Sequence, residues 1–142
     1  MVKIIITVDS NIDIPAQTEQ FQDNLLDELS LNTKRILERN TPVDTGKATN
    51  AWEINRSENQ HEIVNTTRYL PWVNDGTGLY GPNHARIVPR RARFLHFYWL
   101  GREWFLKSVR GQKGQKFVEK SMKEVANEME SVVVRAANKS FK

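Results

Sequence analysis

The chain has 142 residues and 39% apolar content, which fits one domain, residues 1–142, with one modest core. It carries no cysteine, which excludes disulfides and thiolate-held metals, and its formal net charge is +4. No apolar run approaches the roughly 18–20 residues of a membrane span, so no membrane role is expected, and the apolar start is too short for a secretory leader before Asp9 interrupts it.

Residues 3–8 are mostly β-branched and predict a short edge strand. Asp13, Ile14 and Pro15 end it, because the residue before a proline prefers extended geometry. From Ala16 the apolar residues Phe21, Leu25, Leu26, Leu29, Ile36 and Leu37 recur at helical steps. They predict a long helix over 16–40, opened by Pro15 or Thr18 and stopped by Asn40, Thr41 and Pro42. Pro42, Val43, Asp44, Thr45 and Gly46 form a compact turn. Asp44 is expected to accept from a backbone N–H two residues on, and Gly46 to take a positive φ. Residues 51–55 and 61–65 alternate in polarity around a polar stretch at 57–60, which predicts a β-hairpin.

Residues 69–73 are aromatic, contain Pro71, and read as a short helical turn on the core. The glycine-rich stretch 74–83 reads as a loop, mobile or ordered by a partner. Residues 93–99 predict a strand with Leu95, Phe97 and Trp99 on one face and Phe94, His96 and Tyr98 on the other. Two largely apolar faces imply a central or helix-covered strand. Residues 103–109 return beside it, and 110–116 form a second glycine-bearing loop. A last helix is expected over 115–138, with Val118, Met122, Val125, Met129, Val132 and Ala136 in one stripe. On its surface Glu119 and Lys123 make an attractive i,i+4 pair, and Glu124 and Glu128 a repulsive one.

This order predicts an α+β fold: an antiparallel β-sheet with the long N-terminal helix and the C-terminal helix packed on one face. The expected core is Leu25, Leu29, Ile36, Phe97, Trp99, Val118, Met122, Val125 and Met129.

Charge is unevenly placed. Residues 1–71 hold 7 Lys/Arg against 11 Asp/Glu, and residues 72–142 hold 14 against 6. Between residues 86 and 116 nine cations face only Glu103. Such a cluster favours polyanions and acidic surfaces. The alternative is a solvated basic face.

Little else suggests chemistry. His61, His84 and His96 form no metal-ligand spacing with one another or with an acid. His61 and Glu62 are adjacent in a strand and so point to opposite faces. A set of His84, Arg86 and His96 is the one candidate for metal-free ribonuclease chemistry, with histidine as acid–base and arginine on phosphate. Arg90, Arg91 and Arg93 beside Phe94, Tyr98 and Trp99 make a basic-aromatic interleave of the kind single-strand binders use. A small basic nucleic-acid-binding or ribonuclease-like protein is therefore the alternative function. Asp75-Gly76-Thr77-Gly78 lacks the strand–loop–helix context of a phosphate cradle and reads as a turn.

Three segments carry a resemblance. They are Thr41-Pro42-Val43-Asp44-Thr45-Gly46-Lys47, then Tyr69-Leu70-Pro71-Trp72-Val73-Asn74-Asp75-Gly76-Thr77-Gly78, then Ile87-Val88-Pro89 through Phe94-Leu95-His96-Phe97. With the glycine-bearing turn before the last helix, their order and spacing resemble the tail-completion or head–tail joining (neck) proteins of long-tailed phages, the gene-ten-like family of lambdoid phages. The match spans residues 41 to 117. The turn departs from the family, with Arg110-Gly111-Gln112 where members often carry His-Pro-Gly.

The resemblance implies a non-enzymatic virion protein at the head–tail junction or head-proximal tail end, assembled in the host cytoplasm without cofactor or metal. It implies a homo-oligomeric ring, hexameric to match the tail. Its neighbours would be a head connector or stopper protein and a tail terminator or tail tube protein, with non-specific DNA contact as a further partner. Motif residues expected to be structural are Pro42, Val43, Asp44, Thr45, Gly46, Tyr69, Trp72, Val73, Gly76, Thr77 and Pro89. Candidate interface residues are Asp75, Leu79, Tyr80, Arg86, Arg90, Arg91, Arg110, Lys113 and Lys116.

Overall fold

The computed structural model describes residues 1–8 and 16–141. The strand end expected at Asp13, Ile14 and Pro15, and Pro15 as a helix start, lie outside the described residues. The architecture is α+β. The chain forms two compact units: Met1–Leu70 with Phe117–Lys142, and Pro71–Lys116.

In the first unit β1 (Val2–Thr7), β2 (Trp52–Arg56) and β3 (Gln60–Asn65) form an antiparallel sheet in the order β1-β3-β2. β1 is thus an edge strand, as expected. Ile4 and Ile54 both face Ile63, which is fully buried. The alternation of β3 places His61, Ile63 and Asn65 inward. Helix α1 (Ala16–Asn40) packs against all three strands. It already includes Ala16, so Thr18 lies inside it.

The C-terminal helical stretch is two helices, α3 (Phe117–Asn127) and α4 (Met129–Ser140). Glu128, at φ −91° and ψ 0°, leaves helical geometry between them. Both pack along α1, through which they join the core. Leu29 and Ile36 meet Val125 and Val132, with Ile6, Leu25 and Met122 packed against this cluster. Each such side chain, fully buried, stabilises the fold by about 1.5–3 kcal/mol.

Polar pairs set the α1–α3–α4 register. Asn24 donates to Ser140 at 2.8 Å and Asn40 to Ser121 at 3.0 Å, so the helices run antiparallel. Glu28 is held by Lys139 and by Arg135, the latter at 3.2 Å. Glu124 and Glu128, a repulsive pair along one helix, are each drawn across to α1, to Arg39 and to Arg35. The cross-helix partners offset the repulsion expected from the sequence.

In the second unit, α2 (Leu70–Asp75) starts at the last residue of the preceding segment, with Pro71 in its first turn. β4 (Leu95–Trp99) and β5 (Arg102–Leu106) form a hairpin of their own. This corrects the single sheet and the central strand expected at 93–99. β4 pairs on one side only, and periodicity identifies faces without saying whether anything covers them. Trp99, expected in the core, is 58% exposed, and Met129 is 38% exposed. Leu29, Ile36 and Val125 are buried as expected, while Leu25, Phe97, Val118 and Met122 are half-buried.

Candidate assembly surface

Two glycine-bearing segments of the second unit are threaded together backbone to backbone. Thr77 N–H donates to the Gln112 carbonyl at 2.9 Å, and Leu79 N–H to that of Arg110 at 2.7 Å. Gln112 N–H returns to the Thr77 hydroxyl at 3.0 Å. At the base, Gln115 N–H bonds the Val73 carbonyl at 2.9 Å and Lys116 N–H that of Asn74 at 3.0 Å. Gly76, at φ +92°, permits the approach: a Cβ there would lie 2.8 Å from the Gly114 nitrogen and from the Tyr80 oxygen. Gly111, at φ +91°, would drive its own Cβ into the Thr77 carbonyl.

The stretches 74–79 and 110–116 are therefore held against each other. This corrects the mobile-loop expectation. Their glycines serve close backbone approach within the chain, and the hydrogen bonds leave little backbone to be ordered by a partner.

The candidate interface residues divide on this frame. Leu79 is half-buried with its backbone in the threaded pair. Asp75 faces Lys116 at 3.6 Å, and Lys113 lies 5.8 Å from the centroid of the Tyr80 ring. Arg86 donates to the Ser108 hydroxyl at 2.9 Å. Arg90, Arg91 and Arg110 are exposed and make no ion pair among the described residues. Ile87 and Val109 exchange backbone hydrogen bonds of 2.9 and 3.0 Å, which closes the unit below the hairpin. Pro89 is half-buried nearby in sequence.

The hairpin has two unlike faces. Its inner face, with Phe97, Trp99, Trp104 and Leu106, joins Ile87 and Val109 around an apolar groove of about 490 Å³. Trp104 donates its indole N–H to the Trp99 carbonyl at 3.2 Å. Its outer face carries His96, Tyr98 and Phe105 in the open, and Phe94, just before β4, is exposed too. His96 stacks on Phe105 at 4.5 Å with a 3° interplanar angle, and Tyr98 lies 5.6 Å from His96. The Glu103 carboxylate accepts from His96 Nε2 at 2.5 Å.

The remaining motif residues lie mostly at the end of α1. Thr41 N–H and hydroxyl both bond the Leu37 carbonyl, at 2.8 and 2.6 Å, and Trp52 donates its indole N–H to the Thr41 hydroxyl at 2.9 Å. Gly46 takes φ +79° and accepts from Asn50 N–H at 3.1 Å. Asp44 makes no hydrogen bond among the described residues, so the expected bond two residues on is not formed. The Gly46–Asn50 bond closes the turn instead. Pro42 is half-buried, and Val43, Asp44 and Thr45 are exposed. Tyr69 and Trp72 are exposed too, the latter at 62%, while Val73 is half-buried.

The set expected for ribonuclease chemistry is not assembled by hydrogen bonds. His84 Nδ1 lies 3.3 Å from the Leu79 carbonyl, Arg86 is on Ser108 and His96 on Glu103. Sequence reasoning passed over a buried contact between His61 Nδ1 and the Ser30 hydroxyl at 2.8 Å. Ser30 gives its own proton to the Leu26 carbonyl at 2.7 Å, so His61 donates to it. A serine engaged this way is not a nucleophile facing a base. Burial holds the His61 imidazole below its usual pKa, and Asp27, 3.8 Å from the same Nδ1, opposes that effect.

The outer aromatic face was noted in sequence only as a basic-aromatic interleave, set against a reading of residues 93–99 as a central or helix-covered strand. Its signal was present: Phe94, His96 and Tyr98 alternate beside three arginines and include a polar ring, which suits an open face better than a core. Compared with protein-family models, curated proteins and solved structures, the chain gives no match.

Proposed function

We propose that this chain is a structural virion protein that completes the head-proximal end of a phage tail, or joins it to the head connector, as a hexameric ring of identical subunits. The observation that carries the reading is the threaded pair of segments at 74–81 and 110–116. Gly76 and Thr77, both in the resemblance motif, sit at its centre, where their backbone geometry accounts for glycine and a hydroxyl without any catalytic demand. A rigid frame that displays cations suits a mechanical role in which one subunit docks on the next.

A head-to-tail ring needs two different, complementary patches. The second unit carries nine Lys/Arg against Asp75 and Glu103, whereas the first carries 15 Asp/Glu against 12 Lys/Arg. Opposite signs favour association and fix register. The test reverses Arg110 and Lys113 together to glutamate and leaves Lys116, paired with Asp75, in place. Loss of tail completion in an in vitro complementation assay is expected with an unchanged helix signal and melting, and added salt should weaken the wild-type contact likewise. Full completion by the double variant across a range of salt would remove the basis of this reading.

A further inference from the structure

We infer that the outer face of the β4–β5 hairpin, with the arginine run just before it, is a binding site for a single-stranded polynucleotide. The inference stands apart from the head–tail reading and survives or fails without it.

The first ground is the aromatic face. Tyr98 is 73% exposed and Phe105 60%, on one side of a two-stranded ribbon, and Phe94, just before it, is 40% exposed. His96 lies between them, stacked on Phe105. The register places His96 opposite Phe105, so the rings lie side by side rather than scattered. Contiguous exposed aromatic surface marks an interaction site. Flat rings in the open offer faces on which unpaired bases stack whatever their identity. A duplex keeps its base faces to itself and would leave these rings unused.

The second ground is charge. Arg90, Arg91 and Arg93 lie within four residues before Phe94, are exposed, and make no ion pair among the described residues. Lys107 follows β5, next to Leu106 that pairs with Leu95, so it lies at the same end of the hairpin as Phe94. The hairpin's one carboxylate, Glu103, is engaged by His96. Unpaired guanidiniums beside a stacking platform are the two parts that recognise a phosphate-linked chain of bases. An acidic protein surface would satisfy the cations and leave the rings without a partner.

The experiment measures fluorescence anisotropy of labelled oligo-dT and oligo-rU of about 20 nucleotides against the full chain, over salt from about 50 to about 300 mM. Neutralising phosphates with four cations on a single strand gives an expected slope of log K on log salt of about −3. Replacing Arg90→Gln, Arg91→Gln and Arg93→Gln together should make that slope shallower by about 2. Phe105→Ala should weaken binding about 5- to 150-fold with the slope unchanged, while Phe105→Trp, which keeps a stacking face, should bind like the parent. Because Phe105 is mostly exposed, both variants are expected to melt with the parent. Equal binding of DNA and RNA supports the shared chemistry, and a preference names the source. No binding at the lowest salt would overturn the inference. So would an affinity indifferent to Phe105→Ala, or competition by polyglutamate as effective as that by oligo-dT, because each would reduce the surface to a general attraction for anions.

Discussion

Substituting Gly76 by alanine tests whether the threaded segments hold the second unit together. Two costs add. The φ of +92° lies outside the small left-handed region open to L-residues, at a cost of about 1–2 kcal/mol or more. The new Cβ would also meet backbone atoms of Gly114, Tyr80 and Gln112 at 2.8–2.9 Å, and relieving such overlap costs about 1–3 kcal/mol. None of those atoms is the end of a flexible side chain, so the two segments must separate. The hydrogen bonds from Thr77 and Leu79 to Gln112 and Arg110 would then weaken, at about 0.5–1.5 kcal/mol each. The expected loss is about 3–8 kcal/mol, concentrated in the second unit.

Gly101→Ala is the matched control. Gly101 has φ +71°, but a Cβ there meets nothing within 4 Å, so only the backbone term of about 1 kcal/mol applies. Urea unfolding followed by tryptophan fluorescence, in a Trp52→Phe background that removes the one tryptophan of the first unit, reads Trp72, Trp99 and Trp104 in the second unit. Far-ultraviolet circular dichroism reads chiefly α1, α3 and α4 in the first. Gly76→Ala should shift the fluorescence transition far more than the dichroism transition. Equal small losses for the two alanine variants would refute the reasoning and mean that the loops close without intimate backbone contact.

In the first unit, Ile36→Ala removes a fully buried side chain from the α1–α3–α4 cluster and should cost about 2–5 kcal/mol, whereas Leu31→Ala, at a half-exposed position on the same helix, should stay within about 0.5 kcal/mol. Chemical denaturation of the two variants checks the contrast. His61 predicts a pH dependence. Its folded pKa lies below the usual 6.5, so the unfolded chain takes up the proton first as pH falls. Its contribution is full above about 6.5 and is lost as pH falls toward the folded value, with a slope of at most about 1.4 kcal/mol per pH unit. Urea midpoints measured from neutral pH downward should show this slope in the parent and a flatter one in His61→Gln.

The long helix was legible to its ends because Leu25, Leu29 and Ile36 keep helical spacing until Pro42 intervenes. The hairpin at 52–65 was legible for the same kind of reason, with a period of two on either side of a polar turn. Trp99 and Met129 failed because hydrophobic periodicity shows that side chains share a face and not that a second element lies over it. The break at Glu128 was invisible, since the stripe from Val125 to Val132 continues across it. The pairing of Gly76 with the turn holding Gly111 and Gly114 joins segments more than thirty residues apart, and no local pattern reports such a partner. The outer face of the hairpin was left between a covered face and a recognition surface, because aromatic residues favour both strands and recognition surfaces.

The division of the first unit into residues before 71 and after 116 bears on how the protein is made. Helix α1 is complete after some forty residues have been synthesised, but Val125 and Val132, which cover Leu29 and Ile36, come about ninety residues later. A nascent chain halted at residue 116 would hold a finished second unit and a half-clothed α1, with the apolar stripe open to water and to other nascent chains. The adjacent entry and exit backbones at Val73–Gln115 and Asn74–Lys116 soften the delay. Once the second unit closes, the residues leading into α3 are tethered beside those that followed β3. The effective loop that α3 must close to reach α1 is then shortened by more than forty residues, which lowers its closure entropy. The threaded glycines thus act in biogenesis as a clasp that returns the chain to its starting point, and a slow-closing variant such as Gly76→Ala should aggregate during synthesis more than its equilibrium stability alone would predict.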